Sequence, residues 1–174
     1  MRDRALILVG FAAALRRSEL VALQVADVAV APEGARLTLR RSKTDQEGAG
    51  EVVGVERTGT STCPVLALQA WLEATGIAGG PVFRSVDRHG RVGAQLTDQS
   101  VALIIKRRAA RVGLDPALFS GHSLRAGLAT SAAGHDVEER IIMRQTRHRS
   151  VTTLRRYIRD GELFTGNASG RVGL

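Results

Sequence analysis

Val28-Ala29-Val30, Arg36-Leu37-Thr38-Leu39-Arg40 and Val52-Val53-Gly54-Val55 decide the fold class, because here the helical spacing of the preceding residues gives way to short strand-like runs. Pro32, Gly34, Gly48 and Gly50 bound these runs, as turn residues bound strands. The pattern predicts a small antiparallel three-stranded sheet, with the polar turn Ser42–Gly50 joining its second and third strands. On the amino-terminal side, Arg2–Leu15 spaces Leu6, Val9, Gly10, Ala13 and Ala14 for one buried helix side. Ser18 is read as the N-cap of a short helix, Glu19–Gln24. On the other side, Cys63-Pro64 opens a helix to about Ala74, with Pro near its first turn. Val82–Val92 reads as an irregular hairpin around His89-Gly90. Thr97 or Asp98 caps a basic helix, Gln99–Val112, that ends at Gly113. Helical segments follow at about His122–Ala133, Val137–Thr146 and Val151–Arg159. The expected fold is α+β, mainly α-helical, with one small sheet near the front.

The chain has 174 residues, enough for one compact domain with its own core. Hydrophobic residues make up 44% and aromatics only 3%, so Ala, Leu, Val and Ile must build that core. The lone Cys63 leaves no intramolecular disulfide and no cysteine-based zinc site, which suits a reducing cytoplasm. The apolar stretch Ala5–Leu15 is far below the roughly 20 residues that span a bilayer, and Arg16-Arg17-Ser18-Glu19 follows at once, so no membrane role is expected. Net charge is +8, carried by 23 Arg and 2 Lys. Arginine abundance by itself is weak evidence of function, but its distribution carries more. Val101–Asp160 holds 12 basic and 5 acidic residues, a concentration that suits a polyanion, since each neutralised phosphate releases counterions. Few Trp or Phe anchors accompany it, which disfavours a membrane surface.

Three segments carry further information. The first is Ala14-Leu15-Arg16-Arg17-Ser18-Glu19-Leu20. The second is His122-Ser123-Leu124-Arg125. The third is Gln145-Thr146-Arg147-His148 followed by Arg155-Arg156-Tyr157, with Tyr157 nine residues after His148. In order and spacing they resemble the first arginine box, the His-x-x-Arg box and the tyrosine segment of the tyrosine site-specific recombinases and phage integrases. The resemblance runs from about Arg4 to Phe164. It implies an integrase-like catalytic domain over residues 1–164, with 165–174 as a flexible tail. It implies Arg16, Lys43, His122, Arg125, His148 and Tyr157 as catalytic residues, with Glu19 in the usual acidic position behind the first arginine. Lys43, in the turn between two predicted strands, takes the place of the family's general-acid lysine.

The residue types suit the implied chemistry. A phosphodiester under attack gathers charge on its non-bridging oxygens, and planar guanidinium forks such as Arg16 and Arg125 meet that geometry bidentately. They bind the crowded pentavalent state more tightly than the starting diester. His122 and Arg125, three apart at a helix start, are expected to project from one face toward one ligand. Tyr157 is a weak nucleophile while protonated, and neutral His122 is the expected proton acceptor. The resemblance further implies a 3′-phosphotyrosyl intermediate, a hydrogen bond from His148 to a non-bridging oxygen, and no metal or other cofactor. Arg107, Arg108, Arg111, Arg144, Arg149, Arg155 and Arg156 are the candidates for contact with double-stranded DNA.

Taken singly, each residue has an ordinary explanation. Tyr157, beside Val151, Leu154 and Ile158, reads as a core aromatic, although it is the chain's only tyrosine. His122 and His148 read as structural histidines, Arg16 as a surface partner of Glu19, and Lys43 as a solvated turn residue. Arg147 departs from the family's wording, standing where many members have Gly, as does Ala126-Gly127 after the second box. The resemblance begins almost at Met1, so the family's amino-terminal DNA-clamping domain is expected to be absent from this sequence. The family also implies a cyclic tetramer on two duplexes, with Leu163 and Phe164 in a segment that docks on a neighbour, and a monomer in isolation. Two other functions fit the same residues: a type IB topoisomerase and a catalytically silent DNA-binding module.

Overall fold

The computed structural model describes residues 1–40, 50–148 and 150–161. The predicted turn with Lys43, Arg149, and the carboxy-terminal segment with Leu163 and Phe164 fall outside the described residues.

Helix α1, Arg2–Ala12, buries Ala5, Leu6, Val9 and Gly10. It stops short of the expected Leu15 because Ala14 takes a left-handed conformation, φ +48°. The Leu15 N–H then donates to the Gly10 carbonyl at 2.9 Å and the Ala14 N–H to that of Phe11 at 3.0 Å, the paired bonds of a Schellman C-cap. A residue with a Cβ in that conformation costs roughly 1 kcal/mol or more. The turn lets α2, Arg17–Ala22, start at once. Its N-cap is Arg16, not Ser18: the Glu19 carboxylate accepts the Arg16 backbone N–H at 2.8 Å, and Ser18 sits exposed in the first turn.

The predicted sheet forms as β1 (Val28–Val30), β2 (Gly34–Leu39) and β3 (Glu51–Glu56), antiparallel in that order. Leu37 stands opposite Val28 on one side and Val53 on the other. Alternation then puts Ala35, Leu37, Leu39, Val53 and Val55 on the buried face. Helix α3, Pro64–Thr75, packs on α1 and ends at Gly76, whose φ of +63° a glycine adopts without strain. Its Trp71 indole N–H donates to the Val82 carbonyl at 2.8 Å, pinning the chain before the hairpin β4 (Arg84–Val86) and β5 (Val92–Gln95). Thr97 caps α4, Asp98–Arg111, by accepting the Ser100 N–H.

Three further helices complete the described fold: α5 (Ser123–Ala133), α6 (Glu139–Thr146) and α7 (Val151–Gly161). Helix α5 lies between α1 and α7. A large core joins α1, the sheet, α3 and α4, whereas a second cluster of Ala129, Ala133, Ile142 and Leu154 holds α5, α6 and α7 together. Tyr157 and Ile158 pack against this second cluster, so α7 is seated mainly by Leu154, which is fully buried. Among the described residues no helix is long and apolar enough to cross a membrane.

Candidate active site

The left-handed turn after α1 exposes the Ala13 and Ala14 carbonyls to the interior, and arginines fill the space they face. Arg125, one turn into α5, is buried and donates through Nη1 to the Ala14 carbonyl at 3.1 Å. Arg147, just past α6, donates through Nη1 to the Ala13 carbonyl at 2.9 Å and through Nη2 to that of Ala14 at 3.2 Å. Arg147 Nη2 also meets Glu19 Oε2 at 2.8 Å, and Arg16 Nη1 meets Glu19 Oε1 at 2.5 Å. The pairing of Arg16 with Glu19 is thus not a surface contact: the Glu19 side chain is only 2% exposed. One buried carboxylate organises two guanidinium groups, and a strained carbonyl ties one of them to a third.

His148 adjoins this cluster. Its ring centroid lies 5.9 Å from that of Tyr157, with the rings tilted by 33°. Burial, reinforced by the positive charges of Arg125, Arg16 and Arg147, lowers its pKa from the ordinary 6.5 to about 4, so it is neutral at physiological pH. The Thr146 hydroxyl lies 2.7 Å from the Ile142 carbonyl and 2.7 Å from His148 Nδ1. A carbonyl can only accept, so the hydroxyl proton goes to Ile142 and Nδ1–H donates to Thr146. The Nε2 atom is then left with a lone pair. A neutral imidazole in this tautomer can accept a proton at Nε2, and once protonated it can donate there. Arg125 is pushed down to about 10 by burial and by the charges of Arg16 and Arg147, and stays protonated at neutral pH.

The fold therefore brings together Arg16, Glu19, Arg125, His148 and Tyr157, which enter from α2, α5, the end of α6 and α7. His122 behaves differently from the expectation. It caps α5 and is exposed, and among the described residues its ring makes no hydrogen bond or ring contact, with Tyr157 or any other group. Burial of Arg125 sends the two residues of the second box to different depths rather than out from one face. Arg147 went unassigned in the sequence; the sole trace was its place beside His148, where a smaller residue is usual.

The arginines expected at DNA fall into two groups. Arg144, Arg155 and Arg156 are exposed on α6 and α7, the elements that carry His148 and Tyr157, and Arg155 lies 3.4 Å from Glu139. Arg107, Arg108 and Arg111 lie on α4. Arg108 and Arg107 pair with the buried Asp3 at 2.7 and 3.4 Å, a partnership the sequence did not reveal. Asp3 and the Ala13 turn mark opposite ends of α1, about 15 Å apart at 1.5 Å per residue. Burial alone would raise the Asp3 carboxyl, but hydrogen bonds from Arg2 and Arg108 hold it below its usual pKa.

Residues 1–162 match the family described as the phage integrase family. An integrase/recombinase xerD homolog from Selenomonas ruminantium is 47% identical over 99% of this chain and 51% of its own length. A tyrosine recombinase XerD from Xanthomonas axonopodis pv. citri is 33% identical over 90% of this chain and 50% of its own. The chain spans about half the length of these relatives. The XerH site-specific recombinase, solved on its palindromic difH substrate after cleavage, superposes with a TM-score of 0.73 over 97% of this chain and 45% of that one, at 17% identity. A lambda integrase(75-356) dimer bound to a COC' core site gives 0.63 over 91% of this chain and 52% of that one, at 16% identity. At such identities the likeness speaks for the fold alone. The match over residues 1–162 is what identifies the chain: it belongs to the phage integrase family of tyrosine recombinases.

Proposed function

We propose that this chain is a domain that breaks and rejoins DNA in site-specific recombination, with Tyr157 as nucleophile. The observation that carries the reading is the contact of the Tyr157 ring with His148, a residue that itself lies in the field of Arg16 and Arg125. Residues distant in sequence thereby form a cluster whose positive charge suits a phosphate.

Arg16 and Arg125 hold the non-bridging oxygens of the scissile phosphate through the N–H groups that Glu19 and Ala14 leave free. Losing one preorganised donor of this kind costs about 3 kcal/mol, on the order of a hundredfold in rate. The Tyr157 phenol gives its proton to Nε2 of His148, and its oxygen forms a bond to phosphorus as the P–O5′ bond breaks. The 5′ oxygen takes a proton from Lys43, the family's general acid, which completes the 3′-phosphotyrosyl link. Negative charge building on the phosphate favours the protonated form of His148, which then donates to a non-bridging oxygen. One phosphoester replaces another, so the reverse attack by a 5′-hydroxyl rejoins the strand without ATP. His122, exposed at the start of α5, is open to contact with the DNA. Double-stranded DNA is the partner, with a tetramer assembling on two duplexes.

The test is incubation with nicked suicide duplexes carrying candidate sites. The reading expects a protein–DNA adduct that survives denaturant and vanishes in Tyr157→Phe. An adduct that persists in that variant would remove the assignment.

A further inference from the structure

Arg147 is the most constrained side chain in the cluster, and the reaction as described gives it no part. Its backbone adopts φ +56°, ψ +38°, a left-handed conformation that favours glycine. Its side chain is nonetheless long, charged and only 4% exposed. It contacts Glu19 in α2, the Ala13 and Ala14 carbonyls after α1, and, through Nε, Glu51 in β3 at 3.2 Å. It also donates to the Gln145 carbonyl at 3.3 Å. Two of these partners are shared with the arginines assigned to the phosphate: Glu19 with Arg16, and the Ala14 carbonyl with Arg125. Arg147 is therefore one contact removed from each of them. A strained backbone persists only where the surrounding contacts over-determine it. Here those contacts all run through the guanidinium.

We propose that Arg147 is a positioning residue for strand cleavage, fixing Arg16 through Glu19 and Arg125 through the Ala14 carbonyl. The inference rests on the cleavage reading above. It also adds a third positive charge behind the phosphate site. Lysine is no substitute, because a compact ammonium cannot meet a carboxylate and two carbonyls in the planar arrangement that a guanidinium provides.

Glycine is the informative replacement, since it removes the side chain while suiting the backbone. Arg147→Gly and Arg147→Lys would be compared with the parent in single-turnover cleavage of nicked suicide duplexes, drawn from a randomised pool by covalent capture with the parent. Cleavage by Arg147→Gly is expected to be about 10-fold to 100-fold slower, the scale of an ångström-level misplacement of a reacting group. The loss should fall more on the cleavage rate than on DNA affinity, since the residue acts through the phosphate ligands and their placement matters most in the transition state. Free guanidinium should restore part of the rate, and Arg147→Lys should remain slow. A glycine variant that cleaves as fast as the parent, or a lysine variant that matches it, would overturn the proposal.

A second measurement needs no DNA. His148 is faced by Thr146 from α6, Tyr157 from α7, and the guanidiniums of Arg16, Arg125 and Arg147. By NMR, its titration midpoint should rise in Arg147→Gly toward the ordinary value, and an unmoved midpoint would count against the placement. If the parent itself forms no adduct, the cleavage reading falls, and this midpoint alone decides whether Arg147 is coupled to the cluster.

Discussion

Replacing Glu19 with glutamine changes little in shape and removes a negative charge buried among the site arginines. The carboxylate accepts from the Arg16 backbone N–H at 2.8 Å, from Arg16 Nη1 at 2.5 Å and from Arg147 Nη2 at 2.8 Å. An amide keeps one accepting oxygen, so at least one of these donors would face an NH2 group. Leaving one member of a buried ion pair unpartnered costs about 3–5 kcal/mol. The Arg16 side chain is 22% exposed and can turn partly to water, which favours the low end, about 3 kcal/mol. For a chain of this size that is a fall in Tm of roughly 6–12 °C. Urea and thermal unfolding followed by circular dichroism would measure it, with an unchanged urea slope marking a true stability loss. The control is Arg140→Gln, which breaks an exposed pair with Glu138 and should cost under about 1 kcal/mol. A Glu19→Gln variant as mildly affected as this control would refute the idea that one carboxylate organises the cluster.

Other consequences can be checked in parallel. Leu154→Ala should cost about 2–5 kcal/mol and loosen the seat of α7, so that the adduct-forming rate falls although no site residue has changed. For His148, folded and unfolded chains are both neutral above pH 6.5, but as pH falls toward 4 the unfolded chain takes up a proton that the folded site resists. Stability should therefore drop across that window, by on the order of 1–2 kcal/mol after solvent screening, and His148→Asn should flatten the slope. Asp3→Asn should cost about 2 kcal/mol by unpairing Arg2, Arg107 and Arg108. The same change should move elution from heparin to higher salt, because the freed α4 arginines then meet the polyanion; unchanged elution would contradict their engagement by Asp3.

Much of the fold was legible because periodicity and turn chemistry agreed. The strand runs around Leu37 and Val53, the cap at Thr97 and the stop at Gly113 all follow from local spacing and backbone preference. The end of α1 was not legible, since nothing in Phe11-Ala12-Ala13-Ala14 announces a left-handed alanine; the guanidiniums of Arg125 and Arg147, which donate to the Ala13 and Ala14 carbonyls, hold it from far along the chain. Ser18 looked like the better cap by residue type, yet the Glu19 carboxylate reached back to Arg16 first. In the candidate site, the resemblance of their segments to the family's boxes singled out Arg16, Arg125, His148 and Tyr157, but it said nothing of depth. Local sequence offers no sign that Arg125 is buried while His122 is exposed, or that His148 presents a lone pair because Thr146 has committed its proton to a helix carbonyl. Arg147 was visible only as an oddity, because its significance lies wholly in partners from three other elements.

The most direct measurement of the central claim is the chemical identity of the protein–DNA link. After capture on a suicide duplex and protease digestion, mass spectrometry of the DNA-bound peptide should place the modification on Tyr157, joined to a 3′-phosphate, with a free 5′-hydroxyl on the released strand. A link to any other side chain, or to a 5′-phosphate, would contradict the account.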